Sequence, residues 1–519
     1  MKTFLHICSY AQKVHLCAGI LLAFILSIPA YANPDYVKIT ALKDASGVEV
    51  INSYRDPATN LYYSTDNGAN WKNASPNTST VSIALSKDEF VLFRGTNPNG
   101  LNTPGSGSRA YVTLKMTIGQ MEVSGDIMSL VDYSSNMVDL VPGDGCFYRL
   151  FQGSTTLVSA KNLKLSAKYT SKASYNEMFN GCTALTDGSD MTNIECIEEV
   201  ACQKMFYNCK KLTQTCNMPN LVTINTNGCN CMYQNCTALT FAHDLIAKYV
   251  DNYSYSAMFN SCTALKTAPR IDAYEMRLGT CLGMFKGCSV LESSPDLNAQ
   301  FLDSRCYESM FEDCKALKKA PVLKATSLYY EYGNKKETYT SCYKWMFKGC
   351  TALREIEVYF SDWRYVDPGA PTGVWIQNVI ETTDAVFKCP CGLPEKRGLN
   401  CYIPNKWQRE CFNFYLFDVY TNDAVWADDH KDYNNRALKE SEISAIPQAY
   451  KEKHKFIGWN TKPDGTGTAF SMSDKPDTTT TYYAIFESLV PVEPEVNCIN
   501  YSDLTATNVR CDTSALDAK

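Results

Sequence analysis

Histidine is almost missing from this chain, with 5 in 519 residues, and that scarcity restricts acid–base catalysis and imidazole–metal chemistry from the outset. Charge is sparse too. Asp, Glu, Lys and Arg make up 20%, with 49 basic against 55 acidic residues and a formal net charge of −6. Such mild acidity argues against a surface built for phosphate backbones or anionic lipid, so nucleic acid is not an expected partner. Beyond the N-terminal segment no stretch approaches the 18 or more apolar residues that span a bilayer, so no transmembrane segment is expected after signal cleavage. A Leu-Pro-x-Thr-Gly sorting motif and a C-terminal apolar anchor are also lacking, which leaves the mode of attachment open.

Tyr, at 33, and Cys, at 24, are plentiful, and the length calls for several domains. Lys2, His6 and Lys13 precede an apolar run from Leu16 to Ile28 and a small-x-small site at Ala30-Tyr31-Ala32, so residues 1–32 read as a signal peptide. Cys17 follows the bulky Leu16 at the start of that run, which disfavours a lipoprotein box. The mature chain is expected to be exported, at the cell surface or extracellular, with 22 cysteines in a compartment that permits disulfides.

A repeat organises the middle of the chain: Met-Phe-x-x-Cys-x-x-Leu. The copies are Met178-Phe179-Cys182-Leu185, Met205-Phe206-Cys209-Leu212, Met232-Tyr233-Cys236-Leu239, Met258-Phe259-Cys262-Leu265, Met284-Phe285-Cys288-Leu291, Met310-Phe311-Cys314-Leu317 and Met346-Phe347-Cys350-Leu353. A degenerate leading copy has Leu150-Phe151-Ser154-Leu157. Cys-to-Cys steps are 27, 27, 26, 26, 26 and 36 residues. The long last step places an inserted loop over Tyr330 to Tyr339. Tyr255, Met258, Phe259 and Cys262 fall at i, i+3, i+4 and i+7, which predicts a short helix in each unit, followed by an extended segment. One unit cannot bury its Met, Phe, Cys and Leu alone, at about 1.5–3 kcal/mol for each large apolar side chain, so the units should stack into a solenoid.

Phe179-Asn180-Gly181-Cys182-Thr183-Ala184-Leu185 and Phe347-Lys348-Gly349-Cys350-Thr351-Ala352-Leu353 resemble the BspA-like leucine-rich repeat family of bacterial surface proteins. The resemblance covers about Leu150 to Phe360. It implies adhesion, with a host or matrix protein, a mucin or another cell surface as partner. The alternate-Leu consensus and Asn ladder of better-known leucine-rich repeats are absent. Lys455-Phe456-Ile457-Gly458-Trp459-Asn460-Thr461-Lys462-Pro463-Asp464-Gly465-Thr466-Gly467-Thr468, with Thr481-Tyr482-Tyr483-Ala484-Ile485-Phe486, resembles the Listeria–Bacteroides, or internalin B-type, repeat, which implies a small β-grasp-like module.

The fold class expected is therefore multidomain and mainly β with short helices. Signal peptide 1–32 precedes a β-sandwich over 33–125, a leucine-rich-repeat solenoid over 126–365 and a cap over 366–410. The β-grasp-like module over 411–487 and a linker and tail over 488–519 complete it. In the sandwich, Ser64-Thr-Asp66-Asn-Gly68-Ala-Asn-Trp71 matches an Asp-box pattern. It reads as a hairpin-turn device rather than a catalytic centre, because Asp66 can satisfy turn amides and Trp71 can pack beneath them.

The ladder from Cys182 to Cys350 reads as buried reduced thiols, since equal-phase residues about 4.8 Å apart exceed the separation a disulfide prefers. Cys202, Cys229, Cys281, Cys306 and Cys342 read as a second core set. Cys389, Cys391, Cys401 and Cys411, in the loop-rich cap, are the disulfide candidates; their spacing fits no common zinc finger. No catalytic residue, metal or cofactor is expected, because His243, His430 and His454 sit in no recognisable setting. Contact candidates are the loop residues Tyr329, Tyr330, Tyr332, Lys335, Lys336 and Tyr339, as Tyr gives large amphipathic contacts at small entropic cost. The alternatives to adhesion are a carbohydrate-binding or glycan-processing protein and an architectural cell-envelope spacer.

Overall fold

A computed structural model describes residues 35–489 apart from 53–59, 75–79, 103–110, 134–138, 274, 298, 300, 327–328, 333–334, 339–340, 364–373, 420–421, 428–434 and 474–479. The signal-peptide segment, Tyr339, His430 and the tail from residue 490 lie outside the described residues.

Nine strands begin the fold: β1 (Val37–Ala41), β2 (Ser46–Asn52), β3 (Leu61–Ser64), β4 (Lys72–Asn73), β5 (Val81–Leu85), β6 (Phe90–Gly95), β7 (Val112–Ile118), β8 (Met121–Asp126) and β9 (Leu157–Lys164). Period-2 alternation sets their faces: in β1, Val37, Ile39 and Ala41 are buried and the residues between them are not. A six-stranded sheet in the order β4-β3-β6-β1-β8-β9 and a three-stranded sheet β5-β2-β7 bury their inner faces in one core. β9 belongs to the first repeat unit and pairs parallel with β8, so the core runs unbroken from Val37 to Trp407.

The structure overturns the expected leucine-rich-repeat solenoid with its short helices. Among the described residues there is no α-helix, only 3-10 turns such as Ile127–Leu130 and Glu440–Glu442. The repeat strands β10 (Cys196–Ile197), β11 (Thr223–Ile224), β12 (Tyr249–Val250), β13 (Glu275–Met276) and β14 (Phe301–Leu302) are two residues each. They pair parallel in a three-stranded and a two-stranded set, joined elsewhere by isolated bridges, and among the described residues no continuous sheet runs along the repeats.

A ribbon of overlapping β-turns replaces the predicted helix. Met258 and Cys262 donate backwards to the carbonyls of Tyr255 and Phe259, each at 3.1 Å. The intervening amides of Tyr255, Ala257, Phe259 and Ser261 instead donate to residues 280, 282, 284 and 286 of the next rung at 2.8–2.9 Å. Backbone φ turns positive every fourth residue, at Tyr253 (56°), Ala257 (52°) and Ser261 (62°). That four-residue period brings i, i+3, i+4 and i+7 to one side and so imitates a helix in the sequence. A true helix would use every amide internally, whereas the ribbon frees alternate ones for the neighbouring rung. The left-handed residue before each motif cysteine is Gly181, Asn208, Asn235, Ser261, Gly287, Asp313 or Gly349, mostly types that tolerate positive φ.

Inside, the motif aromatics form one column. Phe151, Phe179, Phe206, Tyr233, Phe259, Phe285, Phe311 and Phe347 follow one another with centroids 5.2–5.8 Å apart and near-parallel planes. Trp375, tilted 57° to Phe347, ends it. At the N-terminal end, Leu114 donates its amide to the Leu150 carbonyl at 2.6 Å. At the other end, the amides of Trp345, Phe347 and Gly349 donate to the carbonyls of Val374, Trp375 and Gln377, each at 2.8 Å.

An antiparallel hairpin, β15 (Tyr329–Tyr332) and β16 (Lys335–Thr338), interrupts the last step. After β17 (Glu355–Glu357), β18 (Val386–Pro390) and β19 (Gln408–Phe412), which pair parallel, comes the C-terminal module. Its strands are β20 (Phe414–Asp418), β21 (Val425–Trp426), β22 (Asn435–Lys439), β23 (Ala449–Tyr450), β24 (His454–Asn460) and β25 (Thr481–Ser488). A mixed sheet β22-β20-β25-β24 shares its core with the small β21-β23 sheet; among the described residues no helix contributes to that core. Tyr359 joins Phe414, Leu416 and Ala437 in a small apolar cluster, and Lys439 meets Glu357 at 2.6 Å, which ties the module to the stack.

Candidate binding surfaces

The motif side chains lie where no ligand reaches. Phe179, Cys182, Leu185 and their equivalents in the later units, through Phe347, Cys350 and Leu353, are fully buried. Each of the seven motif thiols points at the carbonyl of the preceding rung's motif aromatic, from Cys182 to Phe151 (3.2 Å) through Cys262 to Tyr233 (3.2 Å) to Cys350 and Phe311 (3.0 Å). The thiol thus serves as a weak S–H donor to a carbonyl that also accepts a backbone amide. Burial pushes the thiols of Cys182 and Cys288 up to about 12. That suppresses the thiolate on which nucleophilic or metal-binding chemistry depends.

Cys202, Cys229, Cys281, Cys306 and Cys342 are buried in the same interior. Of the cap cysteines, Cys391 and Cys411 form a disulfide, while Cys389 and Cys401 are buried. His243 Nδ1 sits 3.1 Å from the Thr215 hydroxyl, and His454 Nδ1 lies 2.7 Å from the Glu452 carbonyl. Among the described residues no group of three or more His, Cys, Asp or Glu is placed to hold a metal, and no helix is long and apolar enough to cross a membrane.

The Asp box is a closed turn. Asp66 accepts from the Ser64 hydroxyl (2.6 Å), the Asn70 amide (2.9 Å) and the Asn70 side chain (2.7 Å), and these bonds hold its carboxyl down at about 2. A carboxylate so fully engaged has little capacity left for proton transfer.

The tyrosine-rich insertion is a hairpin in which Tyr329 pairs with Thr338, Tyr330 with Glu337, Glu331 with Lys336 and Tyr332 with Lys335. It carries Tyr329, Tyr330, Tyr332, Lys335 and Lys336 together; Tyr339 is outside the described residues.

A second surface escapes motif reasoning. Leu140, Tyr169, Cys196, Thr223 and Tyr249 align laterally through successive parallel bridges. Along that row Leu140 (38%), Tyr169 (37%) and Tyr249 (51%) are exposed and Cys196 is buried; Val222 (47%), next to Thr223, is exposed as well. From Tyr169 onward these lateral partners stand nine residues before each motif Met; reading that phase across the copies was the available signal. Charge decorates the turn ribbon. Lys286 and Lys348 flank Glu312 at 2.8 and 2.9 Å; burial acts to raise that carboxyl, but the two ammonium hydrogen bonds hold it below its ordinary value.

No family model matches the chain, and no curated protein matches it. Among solved structures, the chain is similar to a leucine-rich repeat protein from Bacteroides ovatus, at 14% identity over 57% of this chain and 96% of that one, with a TM-score of 0.21. A superposition that loose carries no argument about fold or function.

Proposed function

We propose that this chain is an exported bacterial surface or secreted protein that binds macromolecular ligands, in adhesion or host interaction, and is not an enzyme. The repeat motif resembles those of BspA-like surface proteins, and adhesion comes with that resemblance. The observation that carries the reading is the exposed apolar side chains of Leu140, Tyr169 and Tyr249 in one lateral row, with exposed Val222 next to that row's Thr223. Exposed apolar side chains concentrated on one side of a molecule mark a surface that meets another macromolecule. Large amphipathic rings on a rigid stack lose little entropy on contact. A host or matrix protein, a mucin or another cell surface is the partner class.

The test is saturable binding of the purified chain to matrix proteins and mucins, compared with Tyr169→Ser/Tyr249→Ser and with a chain lacking 329–338. Binding that weakens about tenfold or more in the double variant supports this surface, each buried aromatic being worth about 1.5–3 kcal/mol. Loss only in the hairpin deletion moves the contact to the tyrosine-rich insertion. No binding by a chain that melts cooperatively refutes adhesion to these ligands.

A further inference from the structure

Away from the stack, the outer face of the six-stranded sheet holds an arginine in an unusual setting. Arg94, opposite Tyr62 in the β3–β6 pairing, has its guanidinium carbon 4.0 Å from the Trp71 ring centroid and 4.3 Å from that of Tyr133. Trp71 is fixed by the Asp-box turn and packs edge-on against Tyr36 at 5.1 Å. Arg94 Nε is buried without a hydrogen-bond partner, and among the described residues no carboxylate pairs with this side chain. A buried guanidinium nitrogen ordinarily has a hydrogen-bond partner. Arg94 is partly exposed while its Nε is buried, so the part of the guanidinium able to meet a ligand is the end bearing the two terminal amino groups.

We propose that Arg94 and its rings form a binding site for the carboxylate of an acidic sugar, free or at the end of a glycan. The planar fork of a guanidinium matches a carboxylate through two parallel hydrogen bonds, and its position here is held by contact with the Trp71 and Tyr133 rings. Tyr36, Trp71 and Tyr133, all partly exposed, offer apolar faces for the C–H surface of a sugar ring. One guanidinium suits a monoanion, whereas phosphate-bearing ligands are read by clusters of arginine. A peptide C-terminus is captured by nests of backbone amides, and the groups assembled here are side chains. The site is independent of the adhesion surface and stands or falls without it.

The experiment is calorimetric titration of the full chain with glucuronic acid and N-acetylneuraminic acid, their methyl esters, N-acetylglucosamine, a glycan ending in either acid, and a peptide with a free C-terminus. Binding of the acids that vanishes on esterification, and weakens about tenfold or more in Arg94→Lys, is the expected result, because lysine keeps the charge and loses the fork. If the glycan alone binds, the source is polymeric; if the free acids bind as well, the monosaccharide suffices. Ligand protection of Arg94 from phenylglyoxal, read by mass spectrometry on the unaltered chain, serves where the variant melts abnormally. Binding that survives esterification, a preference for the peptide, no protection of Arg94, or no binding at all overturns the proposal.

Discussion

Glycine substitution gives the turn ribbon and the helix opposite signs. Ala257 is partly exposed with φ of 52°, and Gly283 occupies the same phase one rung later with φ of 58°. Removing the Ala257 Cβ from a left-handed conformation relieves about 1–2 kcal/mol. The greater freedom of glycine in the unfolded chain takes back about 0.4–1 kcal/mol. Ala257→Gly is therefore expected to be neutral or to stabilise by up to about 1.5 kcal/mol. Gly283→Ala is the reverse case. Its new Cβ would meet nothing nearer than the Lys286 Cβ at 3.9 Å, so backbone strain alone acts, and a loss of similar size is expected. In a helix, Ala257→Gly would cost about 1 kcal/mol and Gly283→Ala would gain as much. Guanidinium unfolding midpoints of the two variants, followed by circular dichroism, decide it. Destabilisation by the first together with stabilisation by the second refutes the ribbon.

The thiols predict alkaline instability: burial raises Cys146, Cys182, Cys216, Cys229 and Cys288 to about 12, so the folded chain keeps protons that the unfolded chain releases. Their contribution is complete below about pH 8.5 and falls by about 1.4 kcal/mol per pH unit for each thiol as pH rises toward 12; melting curves between pH 7 and 10.5 should show the decline, and a flat profile would count against it. Phe285→Ala, in the middle of the aromatic column, should cost about 3–5 kcal/mol in denaturant unfolding; a loss under 1 kcal/mol would mean that the column does not hold the rungs. Reducing Cys391–Cys411, which are separated by 20 residues, should cost about 3 kcal/mol and raise hydrogen exchange in Gln408–Phe412; unchanged exchange would argue that the β18–β19 pairing alone secures that strand.

Stacking of the repeats was legible from the Cys182-to-Cys350 phase, because an apolar set that one unit cannot bury must be covered by the next. The local conformation was not. Tyr255, Met258, Phe259 and Cys262 carry a spacing that a helix and a four-residue turn ribbon satisfy equally, and hydrophobic periodicity does not record where an amide donates. Left-handed residues such as Ala257, Lys204 and Val200 hide the ribbon further, since none is a type that advertises positive φ. Ser64, Asp66 and Trp71 were readable as a turn because that pattern is local, while Arg94 was not, its rings coming from sequence positions 71 and 133. Similarly, Leu140, Tyr169 and Tyr249 become one ladder only when rungs about 27 residues apart are laid side by side.

Within the turn ribbon every lateral bond runs from the amide of one rung to the carbonyl of the next, whereas the strand segments beside it also bond in the opposite sense, as from Thr213 to Thr186 and from Thr240 to Thr213; the ribbon therefore has a donor end and an acceptor end. Carbonyls of the first rung meet the Leu114 amide, and amides of the last rung meet Val374, Trp375 and Gln377, so the two terminators are chemically opposite and could not be exchanged. Without them, the donor end of one molecule would match the acceptor end of another, the head-to-tail complementarity from which open filaments grow. The flanking regions therefore close the ribbon's open amides and carbonyls as well as covering its core.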